Sequence, residues 1–301
     1  MTISRDFSPL RYPGGKGKIA KYVKLLFEEN YLLDGHYVEP YAGGASIAVD
    51  LLSNEYVSEI HINDIDIAIY AFWHSVVNET DKLCEKIHNA KLSIDEWLVQ
   101  REIHRNRAGH SMLNVGFAAF YLNRTNRSGI LGGGVIGGIK QTGEWKIGAR
   151  FTKENLIERI KNIADYKDRI NLYNRDAVDL INDLGERLPR RTMFYLDPPY
   201  YDKGKDLYIN YYKHVDHVKI ANTMKAFSER YWLVSYDNVE VIRDMYSDYR
   251  QLQYGLNYSA AKPKKGSEVL VFGDSLVVPD IQNPTNKMEI KKYAEPVNNS
   301  V

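Results

Sequence analysis

The chain has 301 residues, 44% of them apolar, and its 40 lysines and arginines offset 39 aspartates and glutamates to a formal net charge of +1. That is enough chain to bury a real core as one large α/β domain or a domain with an insertion, and the charge leaves local distribution to decide any nucleic-acid partner. The single cysteine, Cys84, excludes a disulfide framework or a thiolate metal site, and no apolar signal core or membrane-length window occurs, so a reducing, cytoplasmic setting is expected.

In chain order, Pro13-Gly14-Gly15-Lys16-Gly17-Lys18 is a glycine-rich turn that opens onto a helix with Ile19, Val23, Leu26 and Phe27 on one face. A short strand, His36 to Glu39, leads through Pro40-Tyr41-Ala42-Gly43-Gly44-Ala45 into a helix over 46–52. A second strand, Glu59 to Asn63, ends at Asp64, and Ile67, Ala71, Trp73 and Val76 mark the next helix. Strand, glycine turn, helix, strand and acidic residue make the first half of a doubly wound α/β sheet.

From about Asp81 the chain becomes polar and mostly helical to Tyr121. Gly129 to Gly138 is then too glycine-dense for a helix or regular strand, and reads as a loop or irregular hairpin closing near Trp145. The α/β rhythm returns with a helix through Leu156, Ile160 and Ile163, a strand at 170–173 and a helix over 177–184. A strand over 192–196, a helix over 218–230, a strand over 231–235, a helix over 239–246 and a late strand over 268–272 follow. The expected organisation is a split catalytic domain, 1–80 and 151–278, an insertion at 81–150 and a frayed tail over 279–301.

The glycines at 43 and 44 let backbone approach a ligand closely, and Asp64, 20 residues after Gly44, suits ribose hydroxyls. The dinucleotide fingerprint Gly-x-Gly-x-x-Gly is absent. The Pro13 to Lys18 turn also fails as a phosphate loop, because Ile19 stands where a hydroxyl should hold magnesium. A nucleoside without a pyrophosphate fits better. Downstream, the apolar run Thr192 to Leu196 ends in Asp197-Pro198-Pro199-Tyr200. The two prolines lack N–H groups and stiffen the exit from the sheet, presenting a carboxylate, fixed carbonyls and a ring together. That set suits a flat base with an exocyclic amine.

In order along the chain, Pro9-Leu10-Arg11-Tyr12-Pro13-Gly14-Gly15-Lys16, Val38-Glu39-Pro40-Tyr41-Ala42-Gly43-Gly44-Ala45-Ser46, Ile62-Asn63-Asp64-Ile65-Asp66 and Asp197-Pro198-Pro199-Tyr200 resemble Dam-like adenine-specific DNA methyltransferases of the D12 class, alpha group. The likeness covers most of residues 8–275. It implies a Rossmann-like S-adenosylmethionine-dependent methyltransferase sheet, with an inserted, mostly helical target-recognition domain carrying a glycine-rich hairpin. It further implies a cofactor site at Tyr12, Gly14, Lys16, Glu39, Pro40, Tyr41, Gly43, Asp64, Asp176 and Asp197. By the resemblance Lys16 meets the cofactor carboxylate, Glu39 lies near its methionine part and Asp176 meets its adenine edge.

The catalytic group implied is Asp197, Pro198, Pro199 and Tyr200. Asp197 and the Pro198 carbonyl would accept both hydrogens of adenine N6, directing its lone pair at the methyl, while Tyr200 stacks on a base flipped from double-stranded DNA. For the insertion, Leu122-Asn123-Arg124 resembles the entry to the family's recognition hairpin. Asn123, Arg124 and Arg127 are the expected DNA contacts, with Lys140, Gln141 and Lys146 behind them; Arg124 equally suits a tie between insertion and catalytic domain. The sequence departs from the GATC-reading members after Arg124, so that site is not carried over. Tyr258 to Gly266 reads as a basic loop. The histidines at 88, 104, 110, 214 and 217 have no metal-ligand spacing, and no metal and a monomer are expected. Rival readings are cytosine N4 methylation, which more often shows Ser before Pro-Pro-Tyr, a DNA-binding relative without turnover, and an RNA or protein methyltransferase.

Overall fold

The computed structural model describes residues 8–11, 16–202, 212–258 and 264–294. Seven strands make one sheet: β1 (Gly35–Glu39), β2 (Val57–Asn63), β3 (Ile170–Tyr173), β4 (Thr192–Leu196), β5 (Tyr231–Asp237), β6 (Arg250–Tyr258) and β7 (Lys264–Phe272). Their spatial order is β3-β2-β1-β4-β5-β7-β6. Neighbours from β3 to β5 pair in parallel, and β7 enters antiparallel between β5 and β6. The order reverses between β1 and β4, the switch point where open α/β sheets leave a crevice at the carboxyl ends of their strands.

The strand sequences explain the two layers of helix. All five residues of β4 are buried, as expected for a central parallel strand covered on both faces. Side chains alternate: Met193 and Tyr195 join a core with Tyr37, Phe27 and Ile62, while Phe194 and Leu196 join a second core with Val38, Trp232 and Val271. The first core is closed by α1 (Ala20–Glu29), α2 (Ser46–Ser53) and α3 (Ile67–Asn78); the second by α8 (Ala177–Arg187), α9 (His214–Ala226) and α10 (Glu240–Met245), α8 to α10 numbering the later helices in chain order.

The insertion contributes α4 (Thr80–Asn89), α5 (Ile94–Arg105) and α6 (Met112–Thr125), and α7 (Lys153–Ala164) returns the chain to the sheet. It has no core of its own. Leu83, Ile87, Trp97 and Phe120 belong to the same buried cluster as Phe72 of α3 and Ile160 of α7. α6 crosses α3 closely over Ala68, Ala71, Val115 and Ala119. A Cβ at Gly116 would lie 2.4 Å from the Ala71 carbonyl oxygen, so only glycine permits this crossing.

The glycine-rich stretch, expected as a loop or irregular hairpin, is a series of turns joined by one antiparallel bridge, Asn126 to Val135. Its shape is set from within: the Asn126 amide donates to the carbonyls of Ile130 and Leu131, and its oxygen accepts from the Trp97 indole at 2.7 Å. Of the basic loop expected over Tyr258 to Gly266, the two ends are β6–β7 ladder, with Tyr258 across from Lys264 and Gly266 across from Leu256, and residues 259–263 lie outside the described residues. The tail expected from Pro279 is packed as far as Ala294. Ile281 and Ile290 are buried, and α11 (Lys287–Ala294) rests on α1.

Candidate active site

A cavity opens at the switch point. It is lined by the turn after β1 (Glu39 to Ser46), the turn after β2 (Asn63 to Asp66), Asp176 and Ala177 at the start of α8, Tyr195, Asp197 and Pro199 after β4, and Lys16 and Tyr212. Of the residues expected at a cofactor, Lys16, Glu39, Pro40, Tyr41, Gly43, Asp64, Asp176 and Asp197 are brought together here; Tyr12 and Gly14 lie outside the described residues.

The three turns are held to one another by polar groups at the strand ends. Asn63, buried, donates from its amide to the carbonyls of Pro40 (2.8 Å) and Arg175 (3.1 Å) and accepts from the Arg175 N–H (2.9 Å). Asn63 therefore ties the turns after β1, β2 and β3. Asp64 accepts the Gly43 N–H at 3.0 Å and the Asp66 N–H at 2.9 Å. Gly43 (φ +45°) and Ala45 (φ +44°) are both left-handed, a tight path that brings backbone to the cavity wall. Asp176 caps α8 by accepting from the N–H groups of Val178 and Asp179.

Five carboxyl groups line the cavity: Lys16 is 2.8 Å from Asp197, Arg107 is 2.8 Å from Asp66 and Lys219 is 3.6 Å from Asp176, while Glu39 and Asp64 have no cation against them among the described residues. Burial pushes the Glu39 carboxyl up to about 8, with the nearby Asp197 adding to it; the Tyr37 hydroxyl, donating at 2.9 Å, and the Ala48 N–H oppose the rise. Burial likewise pushes Asp64 up to about 7, against the two backbone N–H groups that favour its charge. At Glu39 and Asp64 the cavity wall is short of positive charge and suits a ligand that brings it.

Beside the cavity lies a buried network around Asp197. The Lys16 ammonium is 2.8 Å from Asp197 Oδ1 and 3.5 Å from Glu268 Oε1, and donates to the Tyr200 hydroxyl at 3.1 Å. Burial works against its charge, but Asp197, Tyr200 and Glu268 outweigh it and raise its pKa well above the ordinary lysine value. Glu268, in β7 and fully buried, accepts from the hydroxyls of Tyr200 and Tyr254. Ser235 at the end of β5 also donates to Asp197 Oδ1, at 2.9 Å, and is itself joined to the Tyr195 hydroxyl. Burial lifts the Asp197 pKa, and the Lys16 charge pulls it back. Both donors engage Oδ1, so among the described residues Oδ2 is left as the free acceptor.

Other expectations move. Lys16, expected at a cofactor carboxylate, lines the cavity with its ammonium against the protein's own Asp197 and Glu268. Tyr200, expected to stack on a base, is 3% exposed and has its hydroxyl fixed by Glu268 and Lys16; it is a wall of the network, not an open face. Pro198 is buried, and Pro199 lines the cavity. Asn123 and Arg124, expected at DNA, are spent inside the protein. Asn123 is 1% exposed and bonds the Arg11 N–H and carbonyl and the Gly129 carbonyl; the Arg124 guanidinium donates to the Pro9 carbonyl at 2.7 Å. They fasten the insertion to the segment before the glycine turn. Arg127, Lys140 and Lys146 are exposed. Sequence reasoning missed Asn63, Tyr212, Ser235 and Glu268 as site residues. Glu268 had a signal, a lone acid opening the apolar run Val269 to Phe272; Tyr212 had none.

Among the described residues no helix is long and apolar enough to cross a membrane. Superposed solved structures match loosely. Two structures of the rRNA methyltransferase aviRa from Streptomyces viridochromogenes give TM-scores of 0.39 and 0.38 at 14% and 12% identity, covering 91% and 98% of this chain and 95% and 97% of those chains. A curated relative, the Type II methyltransferase M.MjaIII of Methanocaldococcus jannaschii, is 23% identical over 245 residues, 73% of this chain and 80% of its own. Residues 12–260 match the family model of D12 class N6 adenine-specific DNA methyltransferases, a span that contains the cavity lining, Lys16, Asp197, Tyr200 and the insertion and stops short of Glu268. The chain belongs to the D12 class of N6 adenine-specific DNA methyltransferases and is a site-specific DNA adenine methyltransferase.

Proposed function

We propose that the cavity takes S-adenosylmethionine and that Asp197 presents the target amine to it, in double-stranded DNA with the adenine flipped out. The observation that carries this reading is the placement of Asp197 at the wall of an acidic cavity, with Oδ1 doubly held and Oδ2 open. S-adenosylmethionine supplies an electrophilic methyl on a cationic sulfonium, and a cavity with five carboxyls fits a cation better than a phosphate.

Asp64 holds the ribose hydroxyls with the lone pairs that Gly43 and Asp66 leave on its oxygens. Glu39 faces the positive end of the ligand, where ionisation of its raised carboxyl is favoured. Asp176 and the Asn63-tied turn after β3 meet the adenine edge, and Tyr41 and Tyr212, with hydroxyls 3.3 Å apart, close the aromatic side. Asp197 Oδ2 and the Pro198 carbonyl accept the two N6 hydrogens, which turns the nitrogen lone pair away from its ring. Lys16 and Ser235 orient the Asp197 carboxylate and hold negative charge on it until the amine arrives, so transfer rests on placement and electrostatics. Tyr200 and Glu268 hold Lys16 in turn. Arg127, Lys140 and Lys146 contact phosphates from the insertion, and the enzyme acts as a monomer without a metal in its transfer step.

Calorimetric titration with S-adenosylmethionine tests the cavity. Asp64→Ala should weaken binding by at least tenfold, while Glu186→Ala, at an exposed position of α8, leaves it unchanged. Equal affinity in wild type and Asp64→Ala would remove the cavity from the reading.

A further inference from the structure

On the sheet face beneath α8, away from the methyl-transfer cavity, three donor groups converge that lie far apart in sequence. We propose that His36, His61 and Glu59 form a site for a divalent transition-metal ion of the zinc class, pinning β1 to β2. Parallel pairing sets Glu59 directly across from His36, and Val38 across from His61. Glu59 and His61 are two apart on β2 and so share one face, with His36 on the same face of the adjacent strand. One ligand atom from each of the three lies within 4.8 Å of the others.

The distances suit an ion. His36 Nδ1 and His61 Nε2 are 3.0 Å apart, and Glu59 Oε2 is 3.9 Å from His61 Nε2. Two imidazole nitrogens on a tetrahedral zinc stand about 3.3 Å apart, given Zn–N bonds of about 2.0–2.1 Å, so small side-chain shifts open the place. β3 supplies the groups that orient ligands from behind. The Tyr173 hydroxyl meets the other nitrogen of His61, Nδ1, at 3.1 Å, and the Asn171 amide donates to Glu59 at 2.8 Å. Ligating histidines commonly have their second nitrogen fixed in this way. The ring stack of His36 on His61 (5.3 Å, 16°) and of His61 on Tyr173 (6.1 Å, 22°) holds the imidazoles in register. His61 is buried while the Glu59 side chain is 40% exposed, which leaves an entry and a fourth position for water. Two nitrogens and one carboxylate favour zinc over magnesium or calcium.

His36 stands three residues from Glu39 along β1, about 10 Å at ~3.3 Å per residue, and His61 lies level with Val38; none of the three donor residues lines the cavity. The occupant is structural and takes no part in transfer. The sequence carried no hint of it, because positions 36 and 61 become neighbours only through β1–β2 pairing.

The test uses the full chain stripped of metal by chelator and titrated with zinc chloride alone, read by calorimetry and thermal unfolding. One equivalent should bind and raise the unfolding temperature. His61→Ala and His36→Phe should each weaken zinc binding at least tenfold; the phenylalanine keeps the ring stack while removing the nitrogen, so a loss there is not a loss of fold. Cys84→Ala should bind as wild type. Absence of saturable binding, or His36→Phe binding zinc as wild type does, would overturn the site and leave a hydrogen-bonded ladder in its place.

Discussion

The cavity at the switch point and the insertion on α3 use the same kinds of polar residue in opposite ways. At the cavity, buried carboxyls are left short of positive partners: Glu39 and Asp64 are pushed up to about 8 and about 7 by burial, and Asp197 keeps one oxygen open. In the insertion, three buried polar residues of α6 and its end spend their groups on the protein itself, although Gln100 Oε1 and His104 Nδ1 of α5 find no partner among the described residues. Asn123, Asn126 and Arg124 each donate to backbone carbonyls. An unsatisfied buried charge is costly unless something binds there, whereas a satisfied buried amide is scaffold. Residue type alone does not separate the two: what differs is whether the partner is the protein's own backbone, as for Asn123 and Arg124, or a cavity wall, as for Glu39 and Asp64.

Breaking the cavity side should have the largest effect. Asp197→Ala should lower the methyl-transfer rate by at least about 10²–10³-fold, the scale of losing a pre-placed charge-orienting group, with circular dichroism unchanged. Near-normal turnover would show that the open oxygen is not the amine acceptor. Next comes Lys16→Met, which leaves Asp197 and Glu268 facing each other without their cation. Breaking a buried pair in this way costs about 3–5 kcal/mol, read as a drop in the denaturation midpoint. A stability equal to wild type would mean the network is not held by Lys16.

The insertion side is broken by Arg124→Ala, which removes a charged donor to the Pro9 carbonyl and should cost about 1.5–3 kcal/mol in chemical denaturation. If Arg124 instead reads DNA, the loss will appear in DNA affinity at unchanged stability. Arg127→Ala sharpens the same contrast from the exposed side. Stability should hold, and the slope of log affinity against log salt should fall by about 0.9 for one lost phosphate contact.

A smaller effect follows from the raised carboxyls. Between the ordinary carboxyl range near pH ~4 and pH about 7 to 8, the folded chain holds protons on Asp64 and Glu39 that the unfolded chain has released. The native state then binds more protons, so stability declines as pH rises through that window. A cationic ligand favours the ionised carboxyls, and S-adenosylmethionine should bind severalfold more tightly at pH 8.5 than at pH 6. A flat or falling affinity across that range would show that the carboxyls do not face the ligand's charge.

The sheet and most of the cavity were legible in the sequence because each rests on a local pattern. Apolar strands end at Glu39, Asn63 and Asp197, and glycine turns follow the first. What was not legible depends on pairing between distant segments. Ser235 reaches Asp197 through the parallel pairing of β5 with β4, and Glu268 reaches Lys16 because β7 enters beside β5. β6 itself carried a two-residue alternation, Leu252, Tyr254, Leu256 and Tyr258, which was passed over beside the basic run that follows. Asn123 and Arg124 looked like DNA contacts because their type suits DNA; only the packing of α6 on α3 shows that their side chains turn inward. The glycines after Arg127 cannot specify a hairpin, having no cross-strand side chains to fix a register.

The most direct measurement is transfer of labelled methyl from S-adenosylmethionine to duplex DNA, followed by nucleoside analysis of the wild-type and Asp197→Ala products. The account predicts label in N6-methyladenine with the wild type and its loss with Asp197→Ala. Label in N4-methylcytosine, in RNA alone, or persisting at wild-type level in Asp197→Ala would contradict it.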